Sequence, residues 1–573
     1  MSSLVLALIG LAMMIGGYLL YSRFLGRKIY RLSDSYTTPA HRFQDGVDYV
    51  PTNKLVLWGH HFTSVAGAAP IVGPAVAVIW GWGPAFLWVT LGTIFFAGMH
   101  DLGALWASAR NKGLSVGTLS GRYIGKHGRN LFLVVIFLLL LMVNAVFAVV
   151  IANLLVSTPT SVIPTWGAIV VALLVGQAIY RFKWNLAMVS IVGVAALYGL
   201  ILLGDAFPIV LPETILGVSA ATFWIIVLFL YAGVASTLPV WMLLQPRDYI
   251  NGLQLFIGLG LLYGSIIISN PTVVAPMFNN DVPAGTPGLF PLLFVTIACG
   301  AISGFHGIVS SGTSSKQLDK ETDARFVGYF GAVGEGMLAL GTLIAVSSGF
   351  RTLADWENVY AEFGEGGVGA FVTAGGSIMN AGLGIPESLS ATVLATMAVL
   401  FAATTMDTGV RLQRFVVAEI GGMMGVRLGP AVATIIALVT TMALAFGASG
   451  DGTGGMIIWP LFGTTNQLMA ALTLSIVTIM LMQLRRNFWP VLIPLVFVLI
   501  VSVAALLIQL GTFFSQGNWL LVVIGAAVLI CALWVAVTAV SAMVQAYRDP
   551  PVTEEQLLAA EDDELKVQAG KKF

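Results

Sequence analysis

Ionisable side chains inside otherwise apolar stretches are the features of this sequence most able to do chemistry. Glu335 is the clearest, because it lies near the middle of the apolar run 326–348. Burying a charged group at membrane depth is costly unless it is paired, so such a residue is a functional hypothesis by default. The sequence leaves two interpretations open, a carboxyl group that carries a proton through a cycle and a permanently paired structural carboxylate.

Three histidines are predicted to lie at similar depth. His60 and His61 stand together, and His306 shares a helical face with Ser310, four residues later. They could form a proton relay or a metal site, and hydrogen-bonded packing is the alternative. Ser310 and Ser311 could supply hydroxyl oxygens to a hard cation, although ordinary helix packing is favoured for a lone pair of serines.

Two more groups of charged residues lie close to the ends of apolar runs. His100 and Asp101 are predicted to form an internal pair or a gate. Asp407 is expected to pair with Arg411, four residues later on the same helix.

Helix-breaking residues interrupt the apolar run 57–79. Gly67, Pro70, Gly73 and Pro74 fall within eight residues at mid-depth. Each proline removes an amide donor and clashes with the preceding turn, and lipid offers the freed carbonyl groups no partner. A bound ion, a substrate or a water-lined cavity would supply one.

A second interruption is predicted in the run 218–244, within residues 231–241. The two runs begin two successive groups of five spans and enter from opposite sides. Interrupted helices at corresponding positions of two inverted halves indicate a secondary transporter site, whereas an ordinary proline kink is the alternative. The residues predicted to bind substrate are Ser64, Gly67, Ala68, Gly73, Gly233, Ser236 and Thr237. Those predicted to couple an ion or proton are His60, His61, His306, Ser310, Ser311 and Glu335.

The composition predicts that a membrane surrounds these stretches. Of the 573 residues, 58% are hydrophobic and 9% are charged, whereas a soluble protein carries roughly 25% charged residues. This deficit excludes a soluble enzyme and a disordered protein. Because 27 basic residues balance 27 acidic ones, no overall field attracts a nucleic acid. We therefore predict one all-α polytopic membrane domain in contact with lipid.

A spanning helix needs roughly 20 mostly apolar residues. About fifteen segments qualify: 4–22, 57–79, 83–107, 130–156, 165–180, 186–205, 218–244, 253–269, 290–312, 326–348, 388–406, 429–448, 456–482, 489–511 and 517–545. The stretch 412–424 is short for a span and is either an interfacial helix or one further crossing.

Basic residues are concentrated in alternate loops, and such loops stay on the cytoplasmic side. This pattern predicts an N-terminus outside and a C-terminus inside, provided that 412–424 does not cross. The polar tail 548–573 is predicted to be a short solvated helix or a disordered segment.

Four long motifs, ordered along the chain, resemble the carbon starvation protein A (CstA) family. They are residues 59–74, 238–249, 305–316 and 459–468. The resemblance implies uptake of small carbon compounds, peptides or pyruvate, across the bacterial inner membrane when carbon is scarce. It also implies the LeuT-like core of the amino acid–polyamine–organocation superfamily. That core is a five-plus-five inverted repeat with broken first and sixth helices, here with one additional N-terminal helix and several C-terminal ones.

The resemblance also implies a division of the chain. Residues 1–56 would hold the first helix and a loop, 57–205 and 206–411 the two repeats, 412–547 the additional helices, and 548–573 the tail. By analogy 218–244 is the sixth core helix and 290–312 the eighth. A sodium site would then lie among Ser64, Val65, Gly67, Ser310 and Ser311.

The leading prediction is a secondary symporter for a small substrate, pyruvate or a short peptide, driven by H+ or Na+ and using no cofactor. No GxxxxGK[ST] run is present, so ATP is not expected to drive it, and no enzymatic activity is expected. The alternative is an intramembrane metal-binding protein or a nutrient sensor that uses His60, His61 and His306. The choice of substrate, the coupling ion and the oligomeric state stay open.

Overall fold

The fold is described from a computed structural model of the chain. The described residues are 1–46, 48–239, 242–364, 366–553 and 556, with the backbone alone for His127 and Tyr180. Most of the predicted tail 548–573 therefore lies outside the described residues, as do Val240 and Trp241 of the second predicted interruption.

Helices make up nearly all of the first half. They are α1 (Ser3–Gly16), α2 (Ser22–Phe24), α3 (Pro39–Arg42), α4 (Lys54–Ala66), α5 (Ala69–Ala77), α6 (Trp82–Gly92), α7 (Gly98–Ala109), α8 (Val116–Tyr123), α9 (Lys126–Ser157), α10 (Val162–Gly176), α11 (Leu186–Ala206), α12 (Ala220–Thr237) and α13 (Leu244–Ser269). A short antiparallel hairpin, β1 (Thr214–Ile215) and β2 (Val218–Ser219), pairs Thr214 with Ser219 before α12.

The second half is helical as well. Its helices are α14 (Leu289–Thr296), α15 (Ala298–Ala301), α16 (Gly304–Gly312), α17 (Phe330–Ser348), α18 (Leu353–Val359), α19 (Gly367–Leu383), α20 (Glu387–Met423), α21 (Pro430–Ala448), α22 (Gly455–Gln483), α23 (Trp489–Ser515) and α24 (Trp519–Arg548). Turns of π-helix extend several of the long helices, at Gly17–Tyr21, Leu25–Ile29, Thr93–Ala97, Gln177–Arg181 and Arg325–Tyr329.

The predicted all-α polytopic architecture is confirmed. Among the described residues, 13 helices are long and apolar enough to cross a membrane, or 14 if α4 and α5 count as one span bent by 46°. These correspond to fourteen of the fifteen predicted segments. The remaining segment, 290–312, is divided into the three short helices α14, α15 and α16. The stretch 412–424 is no separate crossing, because it continues α20 as far as Met423.

The interruption between α4 and α5 lies where the glycine and proline pattern predicts it. Gly67 has φ +54° and ψ −160°, a backbone conformation that is essentially restricted to glycine. Pro70 stands in the first turn of α5, where the missing N–H has no intrahelical role to lose. Local chemistry therefore explains this break.

The second interruption lies elsewhere than predicted. Helix α12 is continuous from Ala220 to Thr237, so the mid-span break predicted in 218–244 is wrong for those residues. The helix that is broken opposite α4 and α5 is the one predicted to be the eighth core helix. Its backbone leaves the helical region at Ile297 and is extended at Ile302 and Ser303.

Packing around the two broken helices follows a repeated pattern. Helix α5 of the first half packs on α17 of the second half, and in the same way α16 of the second half packs on α7 of the first. Within the first half α4 packs on α13, and within the second half α16 correspondingly packs on α22. Helix α12 packs on α9 much as α21 packs on α20, and the long helices α9 and α20 pack on each other. The broken helices thus have matching surroundings in the two halves of the chain.

The basic loops meet at one end of the bundle, called here the basic end. Arg110 forms a buried ion pair with Glu321, and Arg486 donates to the Tyr30 carbonyl at 2.5 Å. At the opposite end the N-terminus pairs with the segment after α13, through a bridge between Ser2 and Thr272. The loops that touch one another at each end are therefore loops that the charge pattern assigns to the same side.

Candidate functional site

The two interruptions contact each other in the interior of the bundle. A Cβ atom added to Gly73 would lie 2.5 Å from the Thr296 carbonyl oxygen and 3.2 Å from the Ile297 Cα atom. The backbones therefore approach too closely for any side chain. Gly73 was predicted to bind substrate, and the structure places it at this packing contact between α5 and the end of α14.

One cavity adjoins this contact, and another lies at the basic end. At the end opposite the basic loops, a cavity of about 320 Å³ is lined by Val76, Thr296, Trp459 and Gln509, among others. At the basic end, a cavity of about 270 Å³ is lined by residues that include Asp48, Tyr49 and Lys316.

Charged groups set the electrostatics of the basic-end cavity. Burial lowers the pKa of Lys316, and the nearby carboxylates of Asp48 and Asp45 oppose that effect. Burial, together with the same two carboxylates, raises the pKa of Tyr49.

Gly67 and Ala68 form the turn between α4 and α5. A Cβ atom at Gly67 would lie 2.8 Å from the Phe147 ring and 2.9 Å from the Thr405 hydroxyl oxygen. Thr405 donates to the Ser64 carbonyl oxygen at 3.3 Å.

Helix α5 begins without a capping side chain, and Pro70 has no amide hydrogen. The Ile71 and Val72 amides donate to the Ala68 carbonyl at 3.0 Å. The Ala69 amide is therefore the donor that the first turn of α5 leaves available.

His60 and Ser64 are joined through Asp248 of α13. The His60 Nδ1 atom lies 2.7 Å from Asp248 Oδ2, and the Ser64 hydroxyl donates to the same oxygen at 3.2 Å. Thr63 adds a bond from its hydroxyl to the Asp248 carbonyl at 2.9 Å. This group connects α4 to α13 on the basic side of the turn.

A chain of four buried ionisable groups crosses from α7 to α17. His100 Nδ1 lies 2.8 Å from Asp101 Oδ1, so the predicted internal pair forms. Asp101 Oδ2 lies 2.8 Å from His306 Nδ1, and His306 Nε2 lies 3.1 Å from Glu335 Oε2. Glu335 is 1% exposed. Hydrogen bonds join the first three groups, and an ion-pair contact joins His306 to Glu335, so that the four side chains form the continuous row a proton relay needs.

The three predicted site histidines have separate partners. His61 Nδ1 lies 2.8 Å from the Ser314 hydroxyl, whereas His60 and His306 bind different aspartates. In the described part of the chain, no group of three or more His, Cys, Asp or Glu side chains is arranged to hold a metal ion. The alternative of a metal site built from these histidines therefore has no support in the geometry.

The predicted hydroxyl ligands are also separated. Ser311 accepts from the Val116 amide at 2.9 Å and donates to the Gly307 carbonyl at 2.7 Å. Ser310 is buried, and its hydroxyl has no partner among the described residues.

The remaining predicted substrate residues lie on α12. Ser236 and Thr237 donate to carbonyl oxygens of their own helix, and Gly233 packs against Leu438 of α21. These contacts are those of a packed continuous helix, and they give the three residues no contact with the turn at Gly67.

A buried arginine is the principal site residue that the sequence analysis missed. Arg247 binds both Asp407 and the Tyr231 hydroxyl through Nη1. Asp407 was expected to pair with Arg411, but Arg411 donates to the Leu238 carbonyl at 3.0 Å. The signal in the sequence was weak, because Arg247 is counted with the basic loops although it occupies the first turn of α13.

Asn466 of α22 stabilises the second interruption. Its Oδ1 atom accepts from the Phe305 amide at 2.9 Å, and its Nδ2 atom donates to the Ser303 hydroxyl at 3.0 Å. The side chain thus replaces helical hydrogen bonds that the break removes.

We expect Asn466→Ala to lower the free energy of unfolding by about 1–3 kcal/mol, because a buried amide loses its acceptor. Thermal unfolding of the detergent-solubilised protein measures this, with the exposed loop residue Asn280 as the control in Asn280→Ala. Equal unfolding midpoints for the two variants would show that Asn466 contributes nothing at the break.

Comparison with known proteins shows which family has this sequence and fold. The family described as "Carbon starvation protein CstA" matches residues 2–354 and 350–505. The chain belongs to this family. One relative, the "Peptide transporter CstA" of Campylobacter jejuni, is 32% identical over 558 residues, covering 85% of this chain and 77% of the relative. Another, the "Pyruvate/proton symporter BtsT" of Escherichia coli, is 29% identical over 577 residues, covering 86% of this chain and 80% of the relative.

Solved structures show a fold likeness for this CstA family member. A manganese transporter of Eremococcus coleocola superposes with a TM-score of 0.53, covering 88% of this chain and 99% of the transporter, at 11% identity. At that identity the likeness concerns the fold alone. The two relatives described above are named a transporter and a symporter, in agreement with the expectation that the chain is not an enzyme.

Proposed function

We propose that the chain is a proton-coupled symporter that imports a small carbon compound, pyruvate or a short peptide, across the bacterial inner membrane. The observation that carries this proposal is the buried chain from His100 to Glu335, beside two interrupted helices in a multi-pass bundle. Relatives named as a peptide transporter and a pyruvate/proton symporter support the substrate class and the coupling.

The substrate site is proposed at the turn between α4 and α5. The Ala69 amide and the partial positive charge at the start of α5 suit an oxygen-rich substrate. Ser64, Gly67 and Ala68 surround this turn. Gly233, Ser236 and Thr237 stay a prediction, and their helical packing gives that prediction no support.

Proton coupling is proposed for Glu335, His306 and Asp101. The coupling proton would bind to this row of side chains in one orientation of the helix bundle and be released from it in the other. Sodium is the alternative coupling ion, and the partner-free Ser310 hydroxyl is the feature that favours it.

Alternating access is proposed to open the two cavities in turn. We infer that the inverted repeats run from α4 to α13 and from α14 to α22, with α10 and α11 inserted, because the packing of the two sets corresponds. This inference moves the repeat boundaries predicted from the sequence. The alternating basic loops support an N-terminus outside and a C-terminus in the cytoplasm.

Uptake into proteoliposomes tests the proposal. Labelled pyruvate and a labelled dipeptide are compared under inward proton and sodium gradients, imposed separately. A gradient of one pH unit stores about 1.4 kcal/mol per proton, so a one-proton symporter should reach about tenfold accumulation. Absence of transport for both substrates, in protein shown to be folded, would overturn the transport proposal. Accumulation under sodium alone would overturn proton coupling.

A further inference from the structure

Arg247 has an unused hydrogen-bonding edge in the interior of the bundle. The side chain is 2% exposed, and its Nη1 atom binds Asp407 and Tyr231. Within the described residues, its Nε and Nη2 atoms have no hydrogen-bond partner. Two donors of a buried guanidinium group are thus left without partners, which is costly unless a ligand or water supplies an acceptor.

The Nε and Nη2 atoms form the edge of a guanidinium group that fits both oxygens of a carboxylate. Arg110 demonstrates this within the same chain. Its Nε binds Glu321 Oε1, and its Nη2 binds Glu321 Oε2 at 2.8 Å. The corresponding edge of Arg247 makes no hydrogen bond to a carboxylate of the described residues.

The surroundings of Arg247 also contain free acceptors. The Oδ1 atoms of Asp248 and Asp407 are buried and have no partner among the described residues, and neither has His60 Nε2. Asp407 lies on α20 two residues beyond Thr405, whose hydroxyl bonds the Ser64 carbonyl at 3.3 Å. The unpartnered atoms therefore lie close to the turn at Gly67, on the side of the basic loops.

We propose that Arg247 is the carboxylate-binding residue of the transporter and receives the substrate's carboxylate through Nε and Nη2. The inference rests on the proposed transport function and defines its substrate class as compounds with one free carboxylate. The Ala69 amide at the start of α5 then binds another oxygen of the same substrate. Arg247 offers one bidentate edge, which compensates the repulsion of a first carboxylate by Asp248 and Asp407, whereas a second carboxylate would be repelled without that compensation.

Ligand analogues test the inference on the unaltered protein. Pyruvate and its neutral amide, pyruvamide, are compared as competitors of labelled pyruvate binding, and Ala-Ala with Ala-Ala-amide as competitors of a labelled dipeptide. We expect each amide to compete about tenfold or more weakly, since it loses charge-assisted bonds to the guanidinium group. The dicarboxylate malonate is expected to compete weakly as well. Equal competition by acid and amide would overturn the inference without any variant.

The variant Arg247→Lys separates recognition from folding. Lysine keeps the positive charge beside Asp407 but has no bidentate edge. We expect the KM for uptake to rise about tenfold or more, the maximal rate to change less, and the preference for acid over amide to disappear. Arg110→Lys is the matched control, because its edge already binds Glu321, and its KM should equal that of the unaltered protein.

The outcomes distinguish this inference from the proposed function. If the unaltered protein transports and Arg247→Lys keeps both the KM and the preference for the acid, Arg247 is a structural partner of Asp407 alone. If the unaltered protein binds and transports neither the acids nor the peptides, both proposals fail. If Arg247→Lys does not fold, the analogue comparison on the unaltered protein decides.

Discussion

Proteoliposomes that contain the Glu335→Gln variant are expected to lose substrate accumulation under an inward proton gradient while keeping some substrate exchange. Glutamine has nearly the size of glutamate, but its amide group binds and releases no proton at physiological pH. Accumulation driven by one pH unit should fall from about tenfold to none, which is the loss of about 1.4 kcal/mol of coupled driving force. Exchange needs no net proton movement and therefore persists.

The geometry around Glu335 explains why this residue is singled out. Its Oε2 atom lies 3.1 Å from His306 Nε2, and His306 Nδ1 lies 2.8 Å from Asp101 Oδ2. His306 therefore lies between two carboxylates on different helices, hydrogen-bonded to Asp101 and in ion-pair contact with Glu335. Removing one of them breaks the path from α7 to α17.

Two further variants make the experiment decisive. Glu387→Gln changes an exposed glutamate at the start of α20 and should accumulate substrate as the unaltered protein does. Glu335→Asp keeps a titratable group and should retain part of the coupling. Unchanged pH-dependent accumulation in Glu335→Gln would remove Glu335 from the coupling role.

Gly67→Ala is expected to reduce substrate affinity strongly, and Gly67→Leu to abolish it. Alanine at φ +54° and ψ −160° is strained by about 1–3 kcal/mol. Its Cβ atom would also lie 2.8 Å from Phe147 and 2.9 Å from Thr405. If this backbone strain alone reduces the free energy of substrate binding, the affinity falls by about 5–150-fold. Equilibrium binding of labelled substrate measures the effect.

Gly260→Ala is the matched control for this variant. Gly260 lies on α13, and an added Cβ atom would meet nothing within 4 Å. The control should bind substrate normally. If Gly67→Ala binds substrate as tightly as this control does, the site proposed at the turn is contradicted.

Gly73→Leu, by contrast, should act by forcing α5 away from Thr296, so we expect lost thermal stability together with lost binding.

Several features of this protein could be read from its sequence because they depend on local composition. Fourteen of the fifteen predicted segments coincide with helices long and apolar enough to span, since the length and hydropathy of a run are local properties. The turn at Gly67 was predicted correctly because glycine and proline act on their own backbone. Glu335 was recognised as buried because the residues around it are apolar.

Other features depend on which helices pack together. The run 290–312 is interrupted at residues 297–303, which include no proline, and Asn466, 161 positions from Phe305, replaces the missing helical bonds there. Helix α19 was predicted to be part of a loop, yet it packs against α5, α13, α17 and α20. A local pattern of hydropathy contains no information about such contacts.

The pairing of buried charges shows the same division most clearly. The sequence alone determined that Asp101, His306, Glu335 and Asp407 lie in or beside apolar runs. Only the tertiary structure decided that Asp101 meets His306, 205 residues away, and that Asp407 meets Arg247, 160 residues away, instead of Arg411. A buried charge takes the partner that the packing brings near, because the interior offers no water in its place, and helix packing is set by contacts between distant segments.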